Sequence, residues 1–262
     1  MSEPITNRLE VTEGIQSDYY ALARYHYEPR LTFPPTKVFK VVGNDRYAAH
    51  FPDPVAVLVL TQPFPEITAR TKATAGFFHQ HDDAADNLRL LNAYVLYLAR
   101  LITDPRYLRK GIGTMLLKET LSRLQIPIVE TLTPIDFTNR MYTNAGFEIY
   151  YTPASRKYTR LMNAFRGVGL DVHDTTSREL IDMRLNMLQP IRREFIEKEI
   201  KLFLAGYRNA DRFQPGPERT KYILSKVPPP EAYLIWFNPN APLAKSVLLH
   251  RENSRNKNNQ QP

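Results

Sequence analysis

The stretch of this sequence most suggestive of chemistry is a short loop that combines two glycines with basic residues. It consists of Arg109, Lys110, Gly111, Ile112, Gly113 and Thr114. Glycine lets an anion approach the backbone without a Cβ clash, and the start of a helix offers unpaired N–H groups. The loop therefore predicts a site for a pyrophosphate or another phosphorylated group, and Arg106 adds a positive charge nearby.

The spacing of this loop excludes two common phosphate-binding motifs. It lacks the glycine followed by Lys and Ser or Thr that completes a P-loop, and it lacks the third glycine of the dinucleotide-binding fingerprint. The alternative interpretation is a plain turn between a strand and a helix.

A second polar run contains two alternating histidines, His79 and His81, followed by Asp82 and Asp83. Alternate residues of an extended segment share a face, so these side chains could offer ligands to a metal ion. His26 could supply a third ligand, but no pattern links it to this run. We therefore interpret the run as a polar loop and predict no metal site.

The elements on either side of the glycine loop follow from the pattern of apolar residues. Residues 94–103 form a strongly apolar run that predicts a strand ending at the loop. Leu117, Leu121 and Leu124 recur at helical spacing and predict a helix beginning there. The remaining predictions are helices at residues 14–25, 82–92 and 137–145, a helical segment at 175–207 that is interrupted near Pro190, and strands at 37–43, 54–61, 71–78, 127–133, 147–151 and 156–162.

This order of elements predicts a mixed α/β fold, in which helices flank a central mixed sheet. The predicted domain spans residues 14–165 and follows an N-terminal segment, residues 1–13. Residues 166–250 are expected to form a mostly helical, Pro-rich extension. Residues 251–262 are polar and basic, and we expect a disordered tail there.

Composition excludes several classes of protein. With no cysteine among 262 residues, thiolate catalysis, disulfides and Cys-based zinc sites are ruled out. The longest apolar run, residues 55–60, is far shorter than the roughly 20 residues of a membrane helix, and residues 1–20 lack the apolar core of a signal peptide. We therefore expect a soluble, cytoplasmic protein with no membrane partner.

The net charge of +8 indicates which partners the chain attracts. Such a charge favours polyanions, including DNA, RNA and the phosphates of CoA, although it can also serve solubility alone. Basic and aromatic residues interleave between residues 178 and 222, which predicts DNA as a partner. The alternative is a solvated helical face whose glutamates balance the charge.

Two ordered motifs resemble those of the GCN5-related N-acetyltransferases. Residues 101–117, which include the glycine loop, resemble the acyl-CoA-binding motif of that family. Residues 139–147 resemble its later segment, in which a Tyr on a short helix precedes a Gly-Phe that opens the next strand. The resemblance covers about residues 94–158 and implies the acetyltransferase fold, with acetyl-CoA or another acyl-CoA as cofactor.

The resemblance also implies roles for individual residues. In that family the loop amides hold the CoA pyrophosphate, the preceding strand pairs with the pantetheine arm, and the Tyr matched by Tyr142 can protonate the departing thiolate. The implied cofactor site comprises Arg100, Leu101, Ile102, Thr103, Arg109, Lys110, Gly111, Ile112, Gly113 and Thr114. One position departs from the motif, because Leu108 stands where the family usually has Arg or Gln.

A narrower resemblance is to a divergent branch of the family that contains the Mom DNA-modification protein of phage Mu. It rests on residues 25–27, 98–100 and 129–130 and on Tyr142. It implies transfer of an acyl-derived group to adenine N6 in DNA. The implied reaction centre comprises His26, Tyr27, Glu130 or Asp136, and Tyr142, with Arg100 near the cofactor.

The chemistry of these residues suits attack by an amine, which needs a proton acceptor and a proton donor for the leaving group. His26 or Glu130 could accept the proton and Tyr142 could donate one. Alternatively, His26 caps or packs at the end of the first helix, and Glu130 faces solvent. Two other functions remain open: an N-acetyltransferase acting on a small amine or a protein, and a non-catalytic nucleic-acid-binding module.

Overall fold

The computed structural model describes residues 3–26, 28–134, 139–151, 155–170, 178–208, 212–226 and 231–259. The chain divides into two compact units. The first comprises residues 1–151 together with 232–262, and the second comprises residues 152–231. Among the described residues, no helix is long and apolar enough to cross a membrane.

A sheet that contains seven strands in the described part of the chain forms the centre of the first unit. The strands are β1 (Leu9–Gly14), β2 (Pro35–Gly43), β3 (Ala56–Thr61), β4 (Val95–Thr103), β5 (Ile128–Pro134), β6 (Glu148–Tyr151) and β7 (Glu231–Phe237). Their order is β1-β2-β3-β4-β5-β7-β6. The β4 and β5 strands run parallel, whereas β1/β2, β2/β3, β3/β4 and β6/β7 are antiparallel. The predicted mixed α/β fold is thus confirmed.

Helices cover both faces of this sheet. The helices of the first unit are α1 (Gln16–Ala23), α2 (Thr68–Ala73), α3 (Ala84–Tyr94), α4 (Ile112–Arg123), α5 (Asn139–Asn144) and α10 (Pro242–Asn259). Val57 and Val59 of β3 pack in one cluster with α1, and Leu58 and Leu60 pack in another with α4. Because successive strand residues point to opposite faces, this two-sided cover explains why β3 is a continuous apolar run.

The helices α6 (Arg156–Gly167), α7 (Arg178–Asn186), α8 (Pro190–Leu204) and α9 (Pro217–Ser225) form the second unit. Leu161 and Phe165 of α6 share an apolar cluster with Ile196 and Ile200 of α8. Both pairs are four residues apart, so each lies on one face of its helix. The prediction of helices interrupted near Pro190 agrees with α7 and α8.

Two predicted strands are helical in the structure. Residues 71–78 belong to α2 and to a short 3₁₀ turn at Phe77–His79, and the predicted strand at residues 156–162 is part of α6. In α2, Ala69 and Ala73 are buried four residues apart, a helical pattern that outweighs the β propensity of the threonines. In α6, Ser155 caps the first turn by accepting a hydrogen bond from Tyr158 N.

The C-terminal region differs from the prediction in two ways. Residues 231–237 add β7 to the central sheet, and α10 extends to Asn259 where a disordered tail was expected from residue 251. Arg251 explains the second difference, because its guanidinium donates to the Glu148 carboxylate and to the Tyr150 hydroxyl. The two compact units divide the chain after residues 151 and 231, whereas the sequence predicted boundaries at residues 165 and 250.

Candidate active site

The β4 and β5 strands form a fork at the centre of the sheet. They pair only from Val95 to Tyr97, the last rung joining Tyr97 to Glu130, while β4 continues to Thr103. Thr131 Oγ1 donates to Leu98 O at 2.8 Å, where the strands diverge. Beyond this point, residues 101–103 pair with β3 on one side and not with β5 on the other. An extended ligand that carries amide groups could add to this edge.

A β-bulge in β4 decides which way Arg100 points. The register with β3 passes from Val59 opposite Arg100 to Leu60 opposite Leu98, so Ala99 is an additional residue. Because paired residues share a face of the sheet, Arg100 lies on the side of Val59, which packs with α1. Without the bulge, alternation would place Arg100 on the opposite side.

Arg100 anchors the loop that follows α1. Its Nε donates to Glu28 O at 3.0 Å and its Nη2 to Arg30 O at 2.6 Å. Tyr19 of α1 adds a hydrogen bond from its hydroxyl to Pro29 O. The resemblance implies a place for Arg100 near the cofactor, which stays a prediction, and the structure shows these guanidinium nitrogens bound to backbone carbonyls of the loop.

His26 lies half-buried at the start of this loop. Its Nδ1 is 2.9 Å from Glu28 O and 3.0 Å from Glu28 N, so it can donate to the carbonyl when protonated and accept from the N–H when neutral. Burial and then the charge of Arg100 lower the pKa of His26, which favours a neutral imidazole at pH 7. Tyr27 and Asp136, also predicted for the reaction centre, lie outside the described residues.

The glycine loop leads into the N-terminus of α4, as predicted. Gly111 precedes the helix with a φ of 81°, a left-handed conformation that favours glycine. The amides of Ile112, Gly113 and Thr114 come before the first helical bond, from Met115 N to Gly111 O, and so point out of the helix end. The exposed side chains of Arg109 and Lys110 flank this end.

Gly113 is the point where β4, α4 and α5 meet. A Cβ at this position would lie 3.2 Å from Leu101 Cδ2 and 3.2 Å from Met141 Sδ, so only a glycine fits without displacing them. The Oγ1 of Thr103 is 3.8 Å from the same point. Leu101 and Thr103 therefore share the α4 side of β4, whereas Ile102 packs in the cluster with α1.

Tyr142 lies on α5 and is 5% exposed. Its ring makes an edge contact with Phe147, the centroids being 5.2 Å apart. Burial raises the pKa of the Tyr142 hydroxyl, and the nearby Tyr97 raises it further. The phenol therefore stays protonated at neutral pH, which is the state that a proton donor needs.

Glu130 is fully buried in an ion pair that the sequence analysis missed. Arg70 donates to its carboxylate through Nε at 2.8 Å and Nη2 at 2.5 Å, and the Tyr233 hydroxyl donates to Oε2 at 2.7 Å. The alternative of a solvent-facing Glu130 is therefore wrong. A carboxylate in an apolar strand signals a buried partner, because a lone buried charge is too costly, but the sequence does not indicate which cation supplies it.

The run that contains His79 and His81 forms a turn and the cap of α3. Asp83 caps α3 by accepting from Ala85 N at 2.8 Å, and the His81 backbone exchanges hydrogen bonds with the Asn87 side chain. Within the described ranges, no group of three or more His, Cys, Asp or Glu side chains is arranged to hold a metal ion.

Comparisons with known proteins gave structural similarities alone, since no family model and no curated protein sequence matches the chain. The ribosomal-protein-S18-alanine N-acetyltransferase from Escherichia coli is 16% identical over 56% of this chain and 85% of its own, with a TM-score of 0.31. A GNAT family N-acetyltransferase (YhbS) from Escherichia coli, in complex with CoA, is 16% identical over 54% and 69%, with a TM-score of 0.36. NAA60 from Arabidopsis thaliana, in complex with acetyl-CoA, is 12% identical over 56% and 92%, with a TM-score of 0.39. Because these TM-scores are below 0.5, a function must be argued from the geometry of this chain.

Proposed function

We propose that this chain is an N-acyltransferase that moves an acyl group from a CoA thioester to an amine nitrogen. The observation that carries this proposal is the fork between β4 and β5. It places a strand edge that no described residue of β5 pairs with beside a glycine loop at a helix N-terminus, and the Tyr142 phenol is buried on the adjoining α5.

The residues around the fork fit the parts of an acyl-CoA molecule. The outward-pointing amides of α4, with Arg109 and Lys110, suit a pyrophosphate. The open edge of residues 101–103 suits the pantetheine arm, whose amide groups can pair like an added strand. Bound in this way, the molecule would supply an activated acyl carbon.

The transfer requires two balanced proton movements. The acceptor nitrogen forms a C–N bond to the acyl carbon as the C–S bond breaks, so the nitrogen must lose one proton and the sulfur must gain one. The products are an amide and a free thiol, and no electrons are exchanged with another molecule.

Tyr142 is the proposed donor to the sulfur. Burial raises the pKa of its hydroxyl, so Tyr142 carries a proton at neutral pH and can donate it to the sulfur as the C–S bond breaks. The leaving sulfur develops its negative charge in the same buried surroundings, which raise its own affinity for a proton. The tyrosinate then recovers a proton from solvent or from the amine.

His26 is the proposed acceptor of the amine proton, either directly or through water. The lowered pKa of its imidazole keeps it neutral at pH 7, and the tautomer whose Nδ1–H donates to Glu28 O carries the accepting lone pair on Nε2. Glu130 fits this role less well, because its carboxylate oxygens are bound by Arg70 and Tyr233. We assign Glu130 to positioning β5 at the fork.

The acceptor predicted from the sequence, adenine N6 in DNA, is a further proposal. Residues 152–231 hold 15 Lys and Arg against 10 Asp and Glu, so much of the positive charge is concentrated in the second unit. Such an excess of positive charge suits a phosphate backbone. A small amine or a protein amine fits the geometry of the fork equally well.

The test is an acceptor panel with acetyl-CoA. The purified protein is incubated with small amines, with peptides that carry a free N-terminus, and with plasmid DNA, and the products are identified by mass spectrometry. An acetylated amine or a heavier deoxyadenosine supports acyl transfer and identifies the acceptor. If acetyl-CoA binds neither alone nor with any acceptor, the proposal is wrong, and DNA binding without product would favour the non-catalytic module.

A further inference from the structure

Three aromatic rings form a continuous row at the fork. Phe33, in the loop after α1, lies against Phe64, in the loop after β3, with ring centroids 5.2 Å apart. Phe64 in turn makes an edge-to-face contact with Tyr97 of β4, at 5.0 Å and 86°. All three side chains are half-buried, so each keeps part of its surface accessible.

Tyr97 fixes this row to the point where the strands diverge. It occupies the last rung of the β4/β5 pairing, opposite Glu130. Its hydroxyl oxygen accepts a hydrogen bond from Leu132 N at 3.3 Å, one residue beyond Thr131. The Tyr97 ring is therefore next to the proposed site of acyl transfer.

The buried ion pair holds the middle ring in place. Arg70 donates from Nη2 to Phe64 O at 2.6 Å and from Nη1 to Pro65 O at 3.1 Å, while its other contacts are with Glu130. Arg70 is 1% exposed and Glu130 is 0% exposed. A buried cation with all these contacts leaves the backbone at Phe64 little freedom, so the ring is preorganised.

The chemistry of this row of rings favours one class of acceptor. Edge-to-face rings present an apolar surface that packs best against another flat ring. Glu130, the carboxylate beside Tyr97 in the register, is neutralised by Arg70 and so does not attract a second cation. Building on the proposed function, we infer that the acceptor is an amine carried by a flat aromatic or heteroaromatic ring, which stacks on Phe33, Phe64 and Tyr97.

Two matched amines test this inference. 2-Phenylethylamine and 2-cyclohexylethylamine have the same chain and nearly the same size, but only the first has a flat ring. We expect kcat/KM with acetyl-CoA to be at least threefold higher for 2-phenylethylamine. Phe64→Leu should remove this preference and leave the KM for acetyl-CoA unchanged.

Control variants separate recognition from folding. Phe77→Leu changes an aromatic side chain that packs against the same apolar cluster as Phe64, but whose ring contacts are with Phe78 and His250, and it should keep the preference. If Phe64→Leu does not fold, as judged by its thermal melt, Phe33→Leu replaces it. Equal kcat/KM for the two amines, or an equal loss of both in the variant, would overturn the inference while the transferase function stands.

A binding measurement keeps the inference separate from the proposed function. If no amine is acetylated, the transferase proposal fails, and calorimetry of 2-phenylethylamine with the wild-type protein then decides the aromatic site alone. Binding that is weakened by Phe64→Leu and unaffected by Phe77→Leu supports the site. Absence of binding, or binding that does not depend on Phe64, contradicts it.

Discussion

At the residue scale, the Arg70–Glu130 pair shows how a buried charge can stabilise a site without taking part in its chemistry. Arg70→Met would leave the Glu130 carboxylate buried without its cation, and we expect a loss of about 3–5 kcal/mol in the free energy of unfolding. The double variant Arg70→Met with Glu130→Leu should lose less of this free energy, because it leaves no unpaired charge in the core. Urea denaturation followed by fluorescence of Trp236 measures both, and a double variant as unstable as the single one would contradict this explanation.

His26 makes a prediction about pH. A proton acceptor must be neutral, and the pKa of His26 is lowered from its ordinary value of 6.5, mainly by burial. With kcat/KM expressed per concentration of neutral amine, which removes the titration of the substrate, we expect it to be constant above about pH 6.5 and to fall as the pH drops through the lower pKa. The profile is measured for the wild type and for His26→Gln. An acid limb centred above pH 7, or one that survives His26→Gln, would exclude His26 as the base.

At the element scale, the close approach of α4 to β4 at Gly113 predicts a binding defect. In Gly113→Ala the new methyl group meets Leu101 Cδ2 and Met141 Sδ at 3.2 Å, so these side chains or the first turn of α4 must shift at the fork. We expect the Kd for acetyl-CoA, measured by calorimetry, to rise about tenfold, which corresponds to about 1.4 kcal/mol. Gly167→Ala is the control, because a Cβ at Gly167 meets nothing within 4 Å. Equal affinities for the two variants would show that the approach at Gly113 does not shape the site.

The elements that were predicted correctly are those that a pattern of neighbouring residues specifies. The strand β4, the glycine loop and the helix α4 follow one another, and their apolar spacing and glycines suffice to identify them. The strand β1 was missed because Leu9 and Val11 give only a short alternation of apolar and polar residues. Pairing with β2 makes this segment a strand, and the sequence pattern does not show that pairing. The strand predicted at residues 156–162 failed because the helical packing of α6 outweighs local propensity.

At the scale of the whole molecule, the C-terminal helix makes a prediction about stability. Arg251 joins α10 to Glu148 and Tyr150 of β6, and its side chain is 12% exposed. We expect Arg251→Ala to lower the free energy of unfolding by about 1–2 kcal/mol, as for other hydrogen bonds to charged groups. Glu252→Ala, at the neighbouring exposed position, should change it by less than about 0.5 kcal/mol. If urea denaturation gives the two variants the same free energy of unfolding, the contacts of Arg251 do not stabilise α10.

Only part of the candidate site could be predicted from the sequence, because several of its residues are far apart along the chain. Tyr142 and the glycine loop were found because each belongs to a motif of adjacent residues. The partners of Glu130 are 60 and 103 residues away along the chain, and the row from Phe33 through Phe64 to Tyr97 joins three separate elements. Such contacts exist only after the sheet has formed, so spacing in the sequence does not reveal them.

The most direct test of the proposed acyl transfer compares the wild type with Tyr142→Phe at saturating acetyl-CoA, with an amine that the acceptor panel has identified. Phenylalanine keeps the ring and its contact with Phe147 and removes only the hydroxyl. We predict that kcat falls by about 10²-fold or more, because the proton donor to the sulfur is lost, while the Kd for acetyl-CoA changes less than about twofold. An unchanged kcat would contradict the role of Tyr142, and acetyl-CoA that neither binds nor reacts with the wild type would contradict acyl transfer itself.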